Sequence, residues 1–281
     1  MQQLFLPRAA GNSAGSDLVI TAESAGWAYS GLTVMTLSDG ESRVITTGDT
    51  EMAVLPLSGS CRVEVDHHSF DVDGRAGVFE GIAGFAYLPI DTEARISGSG
   101  EIALCTAKAR RYIDPYVVRA TDIPIEVRGG GIGTRQINNF LSADVFEADR
   151  LIAVEVITPE GGWSSYPPHK HDEFTDDEVE LEEIYYFKIS GDAGTGIFSC
   201  YTTDGAIDDT VTVRDGDVYL VPRGYHGPSA PTPGHHMYFL NVMAGPAEER
   251  VWKFTDDPDH HWARAMLDAL PPDPRLPLTT A

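Results

Sequence analysis

The sequence predicts an all-β chain folded as two antiparallel barrels in tandem, and three observations carry that expectation. Short alternating segments end at turn residues along most of the 281 positions, a Gly- and Pro-containing connector divides them into two sets, and the same markers recur in both sets. Side chains two apart on an extended chain share a face, so alternation of apolar and polar residues is the pattern of a half-buried strand.

From Gly31 to Ala107 the segments run L-T-V-M-T-L, E-M-A-V-L-P-L, C-R-V-E-V, F-A-Y-L-P and E-I-A-L-C, cut by turns such as S-D-G and S-G-S. The pattern returns from Leu151 with L-I-A-V-E-V-I, G-I-F-S-C-Y-T, D-T-V-T-V, D-V-Y-L-V-P and M-Y-F-L-N-V. Between the sets lies the connector Arg110 to Arg135, with G-G-G-I-G at its centre. Two units are expected, 1–125 and 126–281, the second carrying a C-terminal extension. Glu51 is followed by seven residues and Gly59, with Pro89 38 positions after the glutamate; Glu183 is followed by seven residues and Gly191, with Pro222 39 positions after it. Three markers in step predict an internal duplication in which Glu51 matches Glu183.

Composition excludes several classes. A formal net charge of −23 opposes nucleic acid and anionic membrane, whose phosphates need a Lys/Arg surface. No apolar run approaches the roughly 20 residues that span a bilayer, and Met1 to Ala10 lacks the layout of a secretion signal. Cys61, Cys105 and Cys200, odd in number and widely spaced, read as free thiols, so a cytoplasmic protein is expected. An acidic protein that handles an anionic ligand needs a local cluster of Arg or Lys in its pocket.

The chemistry is expected in the second unit. His169 and His171 share a face of an extended segment, and G-D-V-Y-L-V-P-R-G-Y-H supplies His226 downstream. Imidazoles with one carboxylate suit a divalent transition metal, and four protein ligands leave two positions of a six-coordinate ion for substrate. Parity selects the carboxylate: Glu183 inward takes Tyr185, Phe187 and Ile189 with it, whereas Glu182 inward would bury Lys188. The same parity from Glu51 places Ala53, Leu55 and Leu57 inward in the first unit. That unit has no counterpart of His169, His171 or His226, and its His67–His68 pair lies in a turn, so it is expected to be structural. The acidic stretch Asp172 to Glu182 reads as a solvated excursion, His235–His236 as a strand entrance, and the tail from Pro271 as loosely held. The segment with Trp252, His260, His261 and Trp262 reads as packing across a domain or dimer interface.

These features resemble the two signature motifs of the cupin superfamily, and two in tandem resemble a bicupin, which implies two antiparallel double-stranded β-helix barrels with short helical segments. The longer strings W-S-S-Y-P-P-H-K-H-D, L-E-E-I-Y-Y, V-P-R-G-Y-H, Y-F-L-N-V-M-A-G-P, W-K-F and D-P-D-H-H-W resemble the 5-deoxy-glucuronate isomerase family of myo-inositol catabolism. The resemblance implies a metal-dependent conversion of 5-deoxy-D-glucuronate to 5-dehydro-2-deoxy-D-gluconate, with His169, His171, Glu183 and His226 as ligands. The cofactor is then one divalent transition metal, zinc first, with manganese, iron, nickel and cobalt as alternatives.

An aldose–ketose isomerase moves a hydrogen between neighbouring carbons, and a metal chelating the carbonyl and adjacent hydroxyl stabilises the enediolate. Candidates for proton transfer are Lys170, Tyr185, Tyr225 and Tyr238, or a metal-bound hydroxide. Arg223, with Lys170, is assigned to the substrate carboxylate, and Asn241, Arg135 and Asn139 are further pocket candidates. The partner is a small anionic sugar acid, and a homodimer is expected. The competing readings are a 4-deoxy-L-threo-5-hexosulose-uronate ketol-isomerase, a metal-cupin dioxygenase and a non-catalytic sugar-binding cupin.

Overall fold

The computed structural model describes residues 3–8 and 17–281, so the expectation for Met1 to Ala10 falls partly outside the described residues. In the second half a seven-stranded sheet runs in the order Phe5–Leu6, Val218–Val221, Glu182–Ile189, Met237–Ala244, Ile152–Thr158, Arg135–Leu141 and Ile125–Arg128. A five-stranded sheet, in the order Asp208–Val213, Gly196–Tyr201, Tyr225–Pro231, His169–Lys170 and Thr255–Asp256, faces it. Tyr185, Phe187, Tyr219 and Phe239 from the first sheet meet Phe198, Cys200 and Val213 from the second in one buried cluster. The strand pairings among the described residues are antiparallel, as the alternating segments predict.

The first half is one sheet curled on itself around the long strands Ser30–Thr46 and Glu93–Lys108, which pair along most of their length. Met35, Met52, Val54, Val63, Ile96 and Leu104 fill its interior. A third cluster joins the halves: Ala53, Leu55, Leu57, Phe85 and Tyr87 pack with Ile184, Tyr186, Leu220 and Val242. Ala53, Leu55 and Leu57 therefore face the neighbouring barrel, and not the interior of their own as parity from Glu51 predicted.

The strand register explains that reversal. Met52 pairs with Leu88, the residue before Pro89, and Glu183 pairs with Val221, the residue before Pro222. Glu51 pairs with Ala107 as Glu182 pairs with Ala244. The duplication thus matches Glu51 to Glu182, one residue off the alignment read from the markers, and Met52 stands where the second barrel has Glu183.

The matched glutamates do the same work in opposite directions. Glu51, fully buried, accepts the backbone N–H groups of Asp149, Arg150 and Leu151 at 2.7, 2.6 and 2.6 Å and the Tyr87 hydroxyl at 2.7 Å. Glu182 accepts those of Ala28, Tyr29 and Ser30 at 2.6, 2.8 and 2.9 Å. Each carboxylate holds the chain where it enters a strand of the other barrel, Ile152–Thr158 or Ser30–Thr46, and satisfies backbone donors there. Lys188, on the Glu182 face, is held at 2.5 Å by Glu101 of the first barrel. Deeper in the interface the guanidinium of Arg75 pairs with Glu155, which also accepts from Tyr238 and Asn138.

Both ends of the chain cross between barrels. Phe5–Leu6 pairs with Val218–Val221, and the tail expected to be loose is pinned: Gln136 accepts from Leu278 N at 2.7 Å and donates to Thr279 O at 2.9 Å, while Ile82 N donates to Thr280 O. Buried Gln136 uses these tail groups to satisfy its amide, which a composition-based reading of P-P-D-P-R-L-P could not anticipate. All three cysteines are free and buried, and no helix among the described residues is long and apolar enough to cross a membrane.

Replacing Glu51 with Gln turns an amide N–H₂ toward three backbone donors. The expected loss is about 2 kcal/mol of stability, within the range for hydrogen bonds to a charged group. Urea denaturation measures it, and metal content should stay at the wild-type level because Met52, not Glu51, occupies the ligand position.

Candidate metal centre

The second barrel brings His171, Glu183 and His226 together at one end, with His169 at their edge. His169 and His226 are register partners on adjacent strands of the five-stranded sheet, and Glu183 projects from the opposing sheet. One ligand atom each from His171, Glu183 and His226 lies within 4.8 Å of the others, all three residues being buried. Nε2 of His171 stands 2.9 Å and Nε2 of His226 3.0 Å from the same oxygen, Glu183 Oε2.

Backbone carbonyls decide what those nitrogens offer. Nδ1 of His171 lies 3.0 Å from Leu181 O and Nδ1 of His226 3.1 Å from Gly224 O. Only an N–H can satisfy a carbonyl, so in the neutral rings Nδ1 carries the proton and Nε2 presents a lone pair to the carboxylate. Such an arrangement repels itself unless a cation lies between. Nε2 of His226 is buried with no hydrogen-bond partner, the mark of a group awaiting a ligand. The donor set, two imidazoles with backbone-fixed tautomers and one carboxylate, fits a divalent transition-metal ion.

Without a metal the titration behaviour follows from the same geometry. Burial opposes ionisation of Glu183, but the close, charged imidazoles of His171 and His226, once protonated, outweigh it and hold the carboxyl well below its usual range. Burial likewise opposes charging of His171, and Glu183 overcomes it, raising that imidazole. His169 is pushed well below 6.5 by burial and by the two neighbouring histidines. Its ring lies 4.4 Å from that of His226 and 6.3 Å from that of His171, at the edge of the three-residue group.

Gly227 keeps this corner tight. At φ +103° it lets the chain pass so close that a Cβ would lie 1.8 Å from Ser165 O, which brings the Ser165 segment against the His226 strand.

His169 opens onto a cleft of about 470 Å³, mouth included, also lined by Tyr185, Asn241, Arg135 and Ser165. Tyr185 and Asn241 are register partners, and the Tyr185 hydroxyl lies 3.5 Å from Ser165 Oγ. Burial, then the charge of Glu183, holds the Tyr185 phenol well above its usual pKa. Of the sequence candidates, His169, Tyr185, Asn241 and Arg135 line this cleft; Lys170, Arg223, Tyr225 and Tyr238 do not.

Those four are engaged elsewhere. Lys170, on the face opposite its flanking histidines, donates to Asp172 at 2.8 Å and to buried Glu178 at 2.9 Å, which pushes its pKa up. Glu178 also accepts from the backbone of Asp172 and Glu173, so the acidic stretch is anchored from within and is more than a solvated excursion. Arg223 is half-exposed and paired with Asp204 at 3.1 Å. Tyr225 lies tilted against Tyr201, its ring 5.7 Å away, and Tyr238 is committed to Glu155 in the inter-barrel interface. Asn139 lies within 3.5 Å of Glu126, outside the cleft lining.

Sequence reasoning passed over Arg128, Arg264, Trp252 and Phe254, all of which line the cleft. Trp252, expected at an interface, turns its ring toward the site beside Phe254, and Arg264 lies on the short helix Trp262–Asp268. His235, by contrast, sits at the entrance of Met237–Ala244, its Nδ1 at 2.7 Å from Ser190 O.

The sequence profile of the KduI/IolB family matches residues 5–263. The chain belongs to the KduI/IolB family. A relative named 5-deoxy-glucuronate isomerase, from Geobacillus thermodenitrificans, is 40% identical over 93% of this chain and 96% of its own. One of the same name from Bacillus subtilis is 35% identical over 86% and 90%. The crystal structure of an IolB-like protein from Salmonella typhimurium superposes with a TM-score of 0.86 at 33% identity, covering 92% of this chain and 98% of that one. Oxalate decarboxylase from Lactobacillus farciminis, at a TM-score of 0.61 and 14% identity over 86% and 83%, shares the fold, and with it the tandem-cupin architecture expected for this family member.

Adding a divalent transition metal to chelator-treated protein should raise the melting temperature, by roughly 5 °C or more once the metal exceeds its dissociation constant about a hundredfold. His226→Ala and Glu183→Gln should each abolish the shift in a calorimetric scan.

Proposed function

We propose that this KduI/IolB chain is a 5-deoxy-glucuronate isomerase that interconverts the aldehyde-bearing uronate with 5-dehydro-2-deoxy-D-gluconate in myo-inositol catabolism. Relatives bearing that name at 35–40% identity over most of the chain support the reading. Among the site's features one observation carries it: two imidazole lone pairs converge with a buried carboxylate beside a cleft lined by polar and aromatic side chains.

In this reading His171, Glu183 and His226 hold the metal, with His169 as the fourth ligand from the adjacent strand. A divalent ion bound there supplies polarisation of the substrate's carbonyl and neighbouring hydroxyl. The reaction removes a proton from the carbon bearing that hydroxyl and returns one to the former aldehyde carbon, so no outside oxidant or reductant is required. Tyr185 is the one proton-transfer candidate of the four that lines the cleft. Its phenol stays neutral at physiological pH, so its part is to donate a hydrogen bond to a substrate oxygen. Asn241, whose Nδ2 is buried without a partner, presents a second donor. Trp252 and Phe254 wall the cleft and exclude water. Lys170 serves the loop that carries the histidines, through Asp172, which accepts Gly224 N–H at 2.7 Å while Gly224 O receives His226.

Buried free thiols favour a cytoplasmic setting, and exposed Ile132, Trp262, Met266 and Leu270, around the C-terminal helix and the turn beside it, support the homodimer. Proton NMR of metal-loaded protein with 5-deoxy-glucuronate tests the activity: new resonances of the keto isomer are expected, and no interconversion with zinc, manganese, iron, nickel or cobalt would overturn it. Tyr185→Phe should lower kcat by about tenfold or more while metal content is retained, since general acid catalysis contributes at least that much.

A further inference from the structure

The cleft beside the histidines contains a cation that, among the described residues, no carboxylate pairs. Arg135 and Arg128 are directly opposite register partners on adjacent strands, an arrangement of like charges that costs stability unless something offsets it. Arg264 lines the same cleft. Two of the three arginines have carboxylates of their own: Arg128 is clasped by Glu126 through two bonds of 2.7 and 2.8 Å, and Arg264 is clasped by Asp256 through two bonds. Arg135 has none. Among the described residues no carboxylate oxygen comes within ion-pair distance of it, and its one hydrogen bond is to Gly133 O at 3.2 Å. Burial and the repulsion of Arg128 and Arg264 push its pKa down to about 10, still charged at neutral pH.

Arg135 is half-buried, and with a single backbone carbonyl as partner it keeps most of its N–H donors free for a ligand. Two further donors are left over at the same cleft: Nε1 of Trp252 and Nδ2 of Asn241 are buried without acceptors. An excess of donors and positive charge, inside a protein whose net charge is −23, is complementary to an anion with planar oxygens.

Resting on the isomerase reading and sharpening it, we infer that Arg135 takes the substrate's carboxylate in a two-pronged pair, with Arg128 and Arg264 as flanking charges and the Trp252 N–H as neighbouring donor. The carbonyl end of the same molecule then lies toward His169 and the metal ligands, and the enzyme selects sugar acids over neutral sugars. Arg135 replaces Arg223, which its pairing with Asp204 keeps at the surface.

Calorimetric titration with D-glucuronate and with its uncharged methyl ester tests the site without depending on turnover. Wild-type protein is expected to prefer the acid. Arg135→Gln should weaken the acid about tenfold and leave the ester nearly unchanged, whereas Arg62→Gln, the same charge change at a distant surface pair with Asp71, should bind both as wild type does. Equal affinity of wild type for acid and ester, or unaltered acid binding by Arg135→Gln, would overturn the inference. If Arg135→Gln does not fold, Arg135→Lys decides in the same titrations, because it keeps the charge and loses the fork: a loss confined to the acid supports the inference, and equal losses overturn it. Turnover separates the two claims. Wild type that isomerises 5-deoxy-glucuronate with a KM unaffected by Arg135→Gln sinks the carboxylate assignment alone. Wild type that never turns over, yet loses acid binding selectively on Arg135→Gln, sinks the isomerase reading and leaves the anion site standing.

Discussion

Two imidazole nitrogens with bare lone pairs face one buried carboxylate, and the architecture of the second barrel follows from keeping them there. The tautomers depend on Leu181 O and Gly224 O, which in turn depend on the loops those residues close. The Leu181 loop is held by a backbone pair with His171, and the Gly224 turn by Asp172, itself anchored by Lys170 and Glu178. Behind the ligands the aromatic floor of Tyr185, Phe187, Phe198 and Phe239 keeps water out and leaves the charges no solvent to relax into. A polar cluster this deep is costly unless its members are satisfied, and the donor set here fits a divalent cation.

The first barrel explains how that site stays rigid. Its matched strand carries Met52 where the second has Glu183, and Met52 packs in an apolar interior with Val54 and Ile96. What both copies retain is the glutamate one residue earlier, whose carboxylate reaches across to backbone donors of the other barrel. A pseudo-symmetric exchange of this kind ties the halves by hydrogen bonds to charged groups as well as by the apolar interface, and the termini add a further crossing. The neighbour of Glu183 is thus a structural clamp, while Glu183 itself faces the two histidines, a division made by the two-residue period of a strand.

That period is why much of the fold and of the metal cluster was legible beforehand. Within one strand, Glu183, Tyr185, Phe187 and Ile189 must share a face, and Lys188 must oppose them. Between repeats no such rule applies, because the loops joining strands differ in length. The spacing from Glu51 to Pro89 therefore suggested a match one residue away from the one the register gives. The cleft was harder still. Its arginines come from the edge strands Ile125–Arg128 and Arg135–Leu141 and from a helix near the C-terminus, segments distant in sequence that only the closed sheet brings beside His169. Lys170 was attractive because it lies between two histidines, but adjacency on a strand places a side chain on the opposite face, and Arg223 lies in the bend before Tyr225–Pro231; each found an acid there. Residues 129–134 bring Arg128 opposite Arg135, like charges side by side that Glu126 offsets only at Arg128.

The most direct test of the account is an anomalous-difference map from crystals grown with the metal that best supports turnover. A single strong peak is predicted at roughly 2.0–2.2 Å from Nε2 of His171, Nε2 of His226 and a carboxylate oxygen of Glu183. A peak at the Lys170–Glu178 loop or in the first barrel, or no peak in crystals whose dissolved protein is active, would contradict it.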